Sequence, residues 1–207
     1  MTLIATDAAP KLSNPSKMPG KSWSLQAGDT CPGKKVEGEL DPVCGDCYAQ
    51  RGRYEFANVV DLRAHNREDW QKDGWVEAMT KLIGKRKYFR WFDSGDVYSL
   101  ALAEKIFAVM AATPNTRHWL PTRMGRFAKF APILEKMDSL PNAVVRHSAF
   151  GYDTLPNGTG SMVYTSQSAP DGVHACQAYM TASGTCRKAG CFACWDKDTK
   201  IIGYPAH

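Results

Sequence analysis

KYFRWFDSGDVYSLALAEKIFAVMAATPNTRHWLPTR, residues 87–123, reads as strand, helix and strand in succession. Residues 87–97 are aromatic and end in Asp-Ser-Gly-Asp, the pattern of a strand running into a polar loop. Residues 100–113 are rich in alanine and leucine, with Ser99 placed to cap the helix and Pro114 just beyond its end. Residues 117–123 then give a short strand. A strand, crossover helix and strand in this order calls for parallel pairing with a right-handed connection.

Working outward, the same alternation continues. Residues 22–28 suit a strand, residues 142–151 a buried strand and residues 161–167 another. Helices are expected from Tyr48 to about Val60, over 61–84, and over 127–137, where Pro132 limits the last. The chain of 207 residues is short for a complete eight-stranded barrel of about 250. The expected fold is therefore α/β, an open partial β/α barrel of about five or six strands with a C-terminal cysteine-rich module. The expected parts are an extended arm over 1–20, an α/β core over 21–170 that carries the first cysteine loop, and a module over 171–207 packed on the core. In such folds ligands sit at the carboxyl ends of strands. Asp93, Ser94, Gly95 and Asp96 fall there, as do Thr122 with Arg123, His147 with Ser148, and residues 165–167.

The strongest chemical signal is seven cysteines in two groups. Cys31, Cys44 and Cys47 follow the first strand, and Cys176, Cys186, Cys191 and Cys194 close the chain. Each group holds a C-x-x-C pair, the habit of thiolate ligands to iron–sulfur clusters or zinc. Four thiolates saturate a [4Fe–4S] cluster or a tetrahedral zinc. Three leave one iron of a cubane open to substrate or cofactor. Zinc is the alternative at either group, and a single cluster shared between the groups is a third arrangement. His65 lies at no finger-like spacing from the first group.

A three-cysteine loop after a first strand resembles that of radical S-adenosylmethionine enzymes, and Tyr48 beside the third cysteine is similar to an aromatic residue of that loop. The spacing here is C-x12-C-x2-C, where that family commonly has C-x3-C-x2-C. The resemblance implies a [4Fe–4S] cluster whose open iron binds S-adenosylmethionine for reductive cleavage. It also implies cofactor contacts from Asp93, Ser94, Gly95, Asp96 and Tyr48. The alternative is that Asp93 or Ser94 caps a following turn or helix, worth about 1 kcal/mol.

The segments SKMPGKSWSLQAGDTCPG, CGDCYAQRGRY, RWFDSGDVYS, HWLPTR and CFACWDKDTKIIGYPAH resemble the phage-encoded gene-88 protein family, from about residue 16 to 207. The C-x-x-C-Tyr-Ala segment is also similar to another phage family with a radical-SAM-type cysteine loop. These resemblances imply a phage or prophage origin, action in the cytoplasm of an infected cell, and iron–sulfur content. A host ferredoxin or flavodoxin would then be the electron donor. No substrate is implied.

Arg123 and Arg146 could each grip a carboxylate by two hydrogen bonds or pair with surface acids. His147 suits a core histidine or a catalytic one. Trp23, Trp91 and Trp119 suit a core before a stacking platform, and the terminal His207 either a loose tail or one packed back on the module. No phosphate loop and no nucleophile elbow occurs. The net charge of +5 admits nucleic acid as a partner but fits a solvated basic face better. No apolar run approaches the roughly 20 residues of a membrane span, and the N-terminus lacks the pattern of a secretory signal. Three functions follow: a radical S-adenosylmethionine enzyme, a non-catalytic iron–sulfur electron carrier or redox regulator, and a structural zinc protein that binds nucleic acid.

Overall fold

A computed structural model describes residues 7–182 and 184–206. Strand β1 (Lys21–Trp23) leads into the first cysteine loop. That loop folds a small hairpin, β2 (Lys35–Val36) with β3 (Glu39–Leu40), and one turn of helix, α1 (Pro42–Gly45). Asp41 caps α1 by accepting from the Val43 amide, and Pro42 occupies the first turn, where its missing N–H costs nothing. Helices α2 (Ala57–Asp69) and α3 (Trp75–Ile83) cross over to β4 (Tyr88–Trp91). Helix α4 (Leu100–Ala112) joins β4 to β5 (Arg117–Thr122), and α5 (Ala131–Asp138) joins β5 to β6 (Ala143–Tyr152). The chain finishes with β7 (Gly160–Tyr164), β8 (His174–Ala175), α6 (Gln177–Met180) and β9 (Ile201–Pro205).

The fold is mixed α/β, and its sheet has seven strands in the order β1-β4-β5-β6-β7-β9-β8, every pair parallel. It stays open, with β1 and β8 at its edges. Five or six strands were expected; the extra ones, β8 and β9, come from the cysteine-rich tail, where irregular structure was expected. The edge at β1 is covered by an antiparallel bridge from Ser13 to Ser22, which satisfies backbone groups that would otherwise invite pairing.

Alternation along the strands sets two faces apart. Phe89 and Trp91 of β4, Leu120 of β5 and Val145 of β6 join one core with Met79 of α3, Ile106 of α4 and Leu134 of α5. All three crossovers thus lie on the same face, as in a barrel, rather than on both as in a doubly wound sheet. Trp23, Trp75 and Trp91 are fully buried in this core, in edge-on and tilted contacts. The other face belongs to the tail. Tyr88 stacks on Phe192 at 4.9 Å between ring centroids, and Trp119 meets Trp195 edge-on at 5.2 Å.

The helical region after Cys47 differs from the sequence expectation. Residues 48–55 form two 3-10 turns, α2 starts at Ala57, and the break falls between Trp70 and Trp75. Gly74, at φ 73°, takes the left-handed turn that lets both tryptophans reach the core. On α2, Asn66 and Asp69 are buried and bind backbone of the arm: Asn66 holds the N–H and C=O of Lys11, and Asp69 accepts from Ala9. A polar helix stripe therefore serves as a clamp for an extended segment.

Candidate metal and ligand site

A cavity of about 330 Å³ opens on the tail side of the sheet, at the carboxyl ends of the strands. Six of the seven cysteines line it: Cys31, Cys44 and Cys47 from the first loop, and Cys176, Cys186 and Cys194 from the tail. All seven are free thiols. Cys191 stands behind, its sulfur 3.3 Å from Nε2 of His174. The tail group approaches through backbone pairing: the Cys176 amide donates to Gly203 and the Cys186 amide to Lys17.

A chain of polar contacts fixes the first loop to the strand ends. Asp96, buried, accepts from Val97 N, from Thr122 Oγ1 and from Arg123 N at 2.7–2.8 Å, while its own amide donates to Thr30. Arg123 in turn pairs with Asp41 and donates to the Ala149 carbonyl. Asp41 also accepts from the amide of Gly151. Arg126 donates to the Gly33 carbonyl at 2.7 Å. Gly33 lies against Arg123 so closely that a Cβ would sit 2.7 Å from that side chain's Cβ. The loop between Cys31 and Cys44 is thereby held on both sides of its hairpin.

The electrostatics favour neutral thiols until a cation is present. Burial, then the Asp96 carboxylate, push the Cys31 thiol up to about 12, and Cys47 and Cys44 add to this. Burial raises Cys44 too, opposed by Arg123. In the tail, burial with Cys176 and Cys191 lifts Cys186 to about 11, and burial lifts Cys194 to about 12 despite its hydrogen bond with Tyr204. Thiols of this kind ionise when a metal takes the proton's place. Among the described residues no three His, Cys, Asp or Glu side chains close on one point that could hold a single metal ion.

The chain belongs to the Gene product 88 family. A model of that family matches residues 2–164, a span that holds Cys31, Cys44 and Cys47 and ends before the tail group. No curated protein and no solved structure matches the chain.

The other candidates fall as follows. Asp93, Ser94, Gly95 and Asp96 all line the cavity, as does Tyr48. Neither Asp93 nor Ser94 caps a helix. The Asp93 carboxylate accepts from Ser22 and Ser24, and Ser94 Oγ donates to the Leu25 carbonyl at 2.6 Å. The cap of α4 is Ser99, which accepts from the Leu102 amide. Tyr48 donates to the Asp93 carbonyl at 2.9 Å. Arg123 does grip a carboxylate, the protein's own Asp41. Arg146 serves in neither expected way: fully buried, it donates to the carbonyls of Ala193, Cys194, Asp196, Thr199 and Lys200. Its fork holds the Cys194 segment onto β6. His147 lies on the helical face against Gly125, away from the cysteines. Trp23 and Trp91 are core, while Trp119 lines the cavity. His207 lies outside the described residues.

Sequence reading passed over two residues of the site, Arg90 and Tyr204. Both line the cavity. The signal for Arg90 was there: in YFRW it alternates with Phe89 and Trp91, so it must face away from the helical core. Among the described residues no helix is long and apolar enough to cross a membrane.

Proposed function

We propose that this chain is an iron–sulfur protein of phage type and an enzyme of the radical S-adenosylmethionine kind. Cys31, Cys44 and Cys47 would hold a [4Fe–4S] cluster with one open iron, and Cys176, Cys186, Cys191 and Cys194 a second cluster. The observation that carries the reading is the meeting of six thiols from both ends of the chain on one cavity. An electron carrier needs its cluster near the surface and no chamber for a ligand. Here the open-site group faces a volume within the range of small-molecule sites, about 300–1,000 Å³.

The donor set suits the group. Thiolates are the ligands that iron–sulfur clusters take, and six thiols line the chamber. Bound there, the cluster would supply one electron and an open coordination site. The chain's own residues do the rest. Asp96 and Arg123 hold the loop at the strand ends, and Arg123 lowers the cost of charge on Cys44. Asp93, Ser94, Gly95 and Tyr48 offer polar edges to a cofactor, and Phe92 and Met162 exclude water from the chamber. A reduced donor such as ferredoxin or flavodoxin would serve it in the cytoplasm of an infected cell.

The test is anaerobic purification with iron and acid-labile sulfide measured on the same sample. Iron and sulfide in equal amounts, lowered together in Cys31→Ala, Cys44→Ala or Cys47→Ala, are expected. Zinc without sulfide would overturn the reading. With reductant and S-adenosylmethionine, the loaded protein should release 5′-deoxyadenosine or methionine; release of neither would remove the catalytic half and leave an iron–sulfur carrier.

A further inference from the structure

Arg90, a cation of the cavity lining, has no strong acceptor. It projects from the middle of β4 toward the tail side of the sheet and lines the chamber that both cysteine groups share. Its guanidinium lies over the Trp119 ring, 4.3 Å from the centroid. Nη2 reaches the Tyr48 hydroxyl at a long 3.4 Å, and Nη1 meets only the Met18 thioether at 3.5 Å. Nε is buried without a partner. None of the ion pairs within 4.0 Å among the described residues includes Arg90. The neighbouring arginines differ: Arg123 is paired with Asp41, and Arg146 is saturated by five carbonyls. The Asp93 carboxylate acts on this guanidinium through space but makes no ion pair with it, so its direct contacts are an indole, a phenol and a thioether, and its hydrogen-bonding capacity is left for an arriving anion.

We propose that Arg90 anchors a small carboxylate-bearing ligand in this cavity. Nη1 and Nη2 meet Met18 and Tyr48, which line the chamber, and the planar fork they form matches the two oxygens of a carboxylate. Stacking on Trp119 and the contact with Tyr48 fix the plane of the fork in advance, so less freedom is lost on binding. The carboxylates of Asp93 and Asp96 line the same chamber with the apolar Phe92, Trp119 and Met162, so a monoanion with an apolar body is favoured over a doubly charged phosphate. The position deepens the iron–sulfur reading, since such a ligand would share the chamber lined by both cysteine groups, but the binding itself requires no metal.

The experiment uses the full-length protein, with iron content measured on each sample. Acetate and benzoate are titrated against acetamide, benzamide and phenyl phosphate by calorimetry. The carboxylates should bind more tightly than their amides by on the order of tenfold or more. Arg90→Gln should abolish that difference and leave benzamide binding unchanged, and Arg90→Lys should restore little of it, because an ammonium lacks the fork. Equal binding of benzoate and benzamide, no binding of either carboxylate, or undiminished benzoate binding by Arg90→Gln would overturn the anchor. Tighter binding of phenyl phosphate would overturn the carboxylate assignment. Should Arg90→Gln fail to fold, the Arg90 Nε–H resonance of the wild-type protein decides: benzoate should shift it and benzamide should not. Because the titration needs no cluster, its failure is separable from a failure of the iron and sulfide assay.

Discussion

His118 sits under Trp91 in the helical core, fully buried. Its Nδ1 accepts from the Trp91 indole at 3.3 Å. Thr113 spends its hydroxyl proton on the Val109 carbonyl, so its oxygen accepts from His118 Nε2–H at 2.8 Å. Both bonds require the neutral ring with its proton on Nε2. A second proton would point Nδ1–H at another N–H. Burial accordingly holds the His118 pKa at about 3, below the ordinary 6.5. The unfolded chain therefore binds the proton first, and stability is complete above pH 6.5 and falls as pH drops toward 3. The expected slope from this residue is about 1.4 kcal/mol per pH unit. Urea unfolding at several pH values should show that slope in the wild type and lack it in His118→Gln. Arg146 makes the second prediction at this scale. Arg146→Ala leaves several carbonyls of the tail without donors, so a loss of about 3 kcal/mol or more is expected in the urea midpoint. Arg146→Lys should rescue little, because one ammonium cannot reach five acceptors.

At the scale of elements, the loop after β4 has no room for added volume. Gly95 has φ +76°, and a Cβ there would lie 2.6 Å from Thr30 Oγ1 and 2.8 Å from Leu25 Cβ. Gly95→Ala should cost about 2 kcal/mol or more through the backbone angle and the collision together. It should also reduce iron loading, because Thr30 adjoins Cys31. Thermal melts and iron analysis check both effects, and a variant with normal melting and loading would show the loop to be slack. Ser99→Ala, at the cap of α4, should cost about 1 kcal/mol and leave loading unchanged. The elements around this loop were legible in the sequence because each satisfies its own local rule: alternation in YFRW, the cap and proline around α4, the aromatic pair in β5. The helices after Cys47 were less so. Nothing local marks Asn66 and Asp69 as buried, since the backbone they bind is some 55 to 60 residues earlier in the chain.

At the scale of the whole molecule, the tail is structural as well as chemical. Strand β9 pairs with β7 along five residues, and the tail covers Tyr88 and Trp119. A chain ended at Tyr164 would bare that aromatic face and a hydrogen-bonding edge of β7, and should self-associate. Light scattering on the truncated protein tests this; a monomer with native circular dichroism would mean that the remaining residues fold alone. In the same sense, removing the tail should abolish the second iron site while the first loop keeps its anchor through Asp96 and Arg123.

The amino-acid sequence by itself determined the strand and helix order between β4 and β7, the parallel α/β class and the two thiol groups, because those depend on spacing and periodicity within a few residues. Tertiary structure alone decided that both groups face one cavity, that Arg146 is a buried clasp, and that Arg90 is left without an ion pair within 4.0 Å. Alternation says that Arg90 and Arg146 turn from the helical core, but not what waits on the other side. That is set by a tail folding back over about 50 to 100 residues of chain, a contact whose closing cost is met only by the packing of the finished sheet.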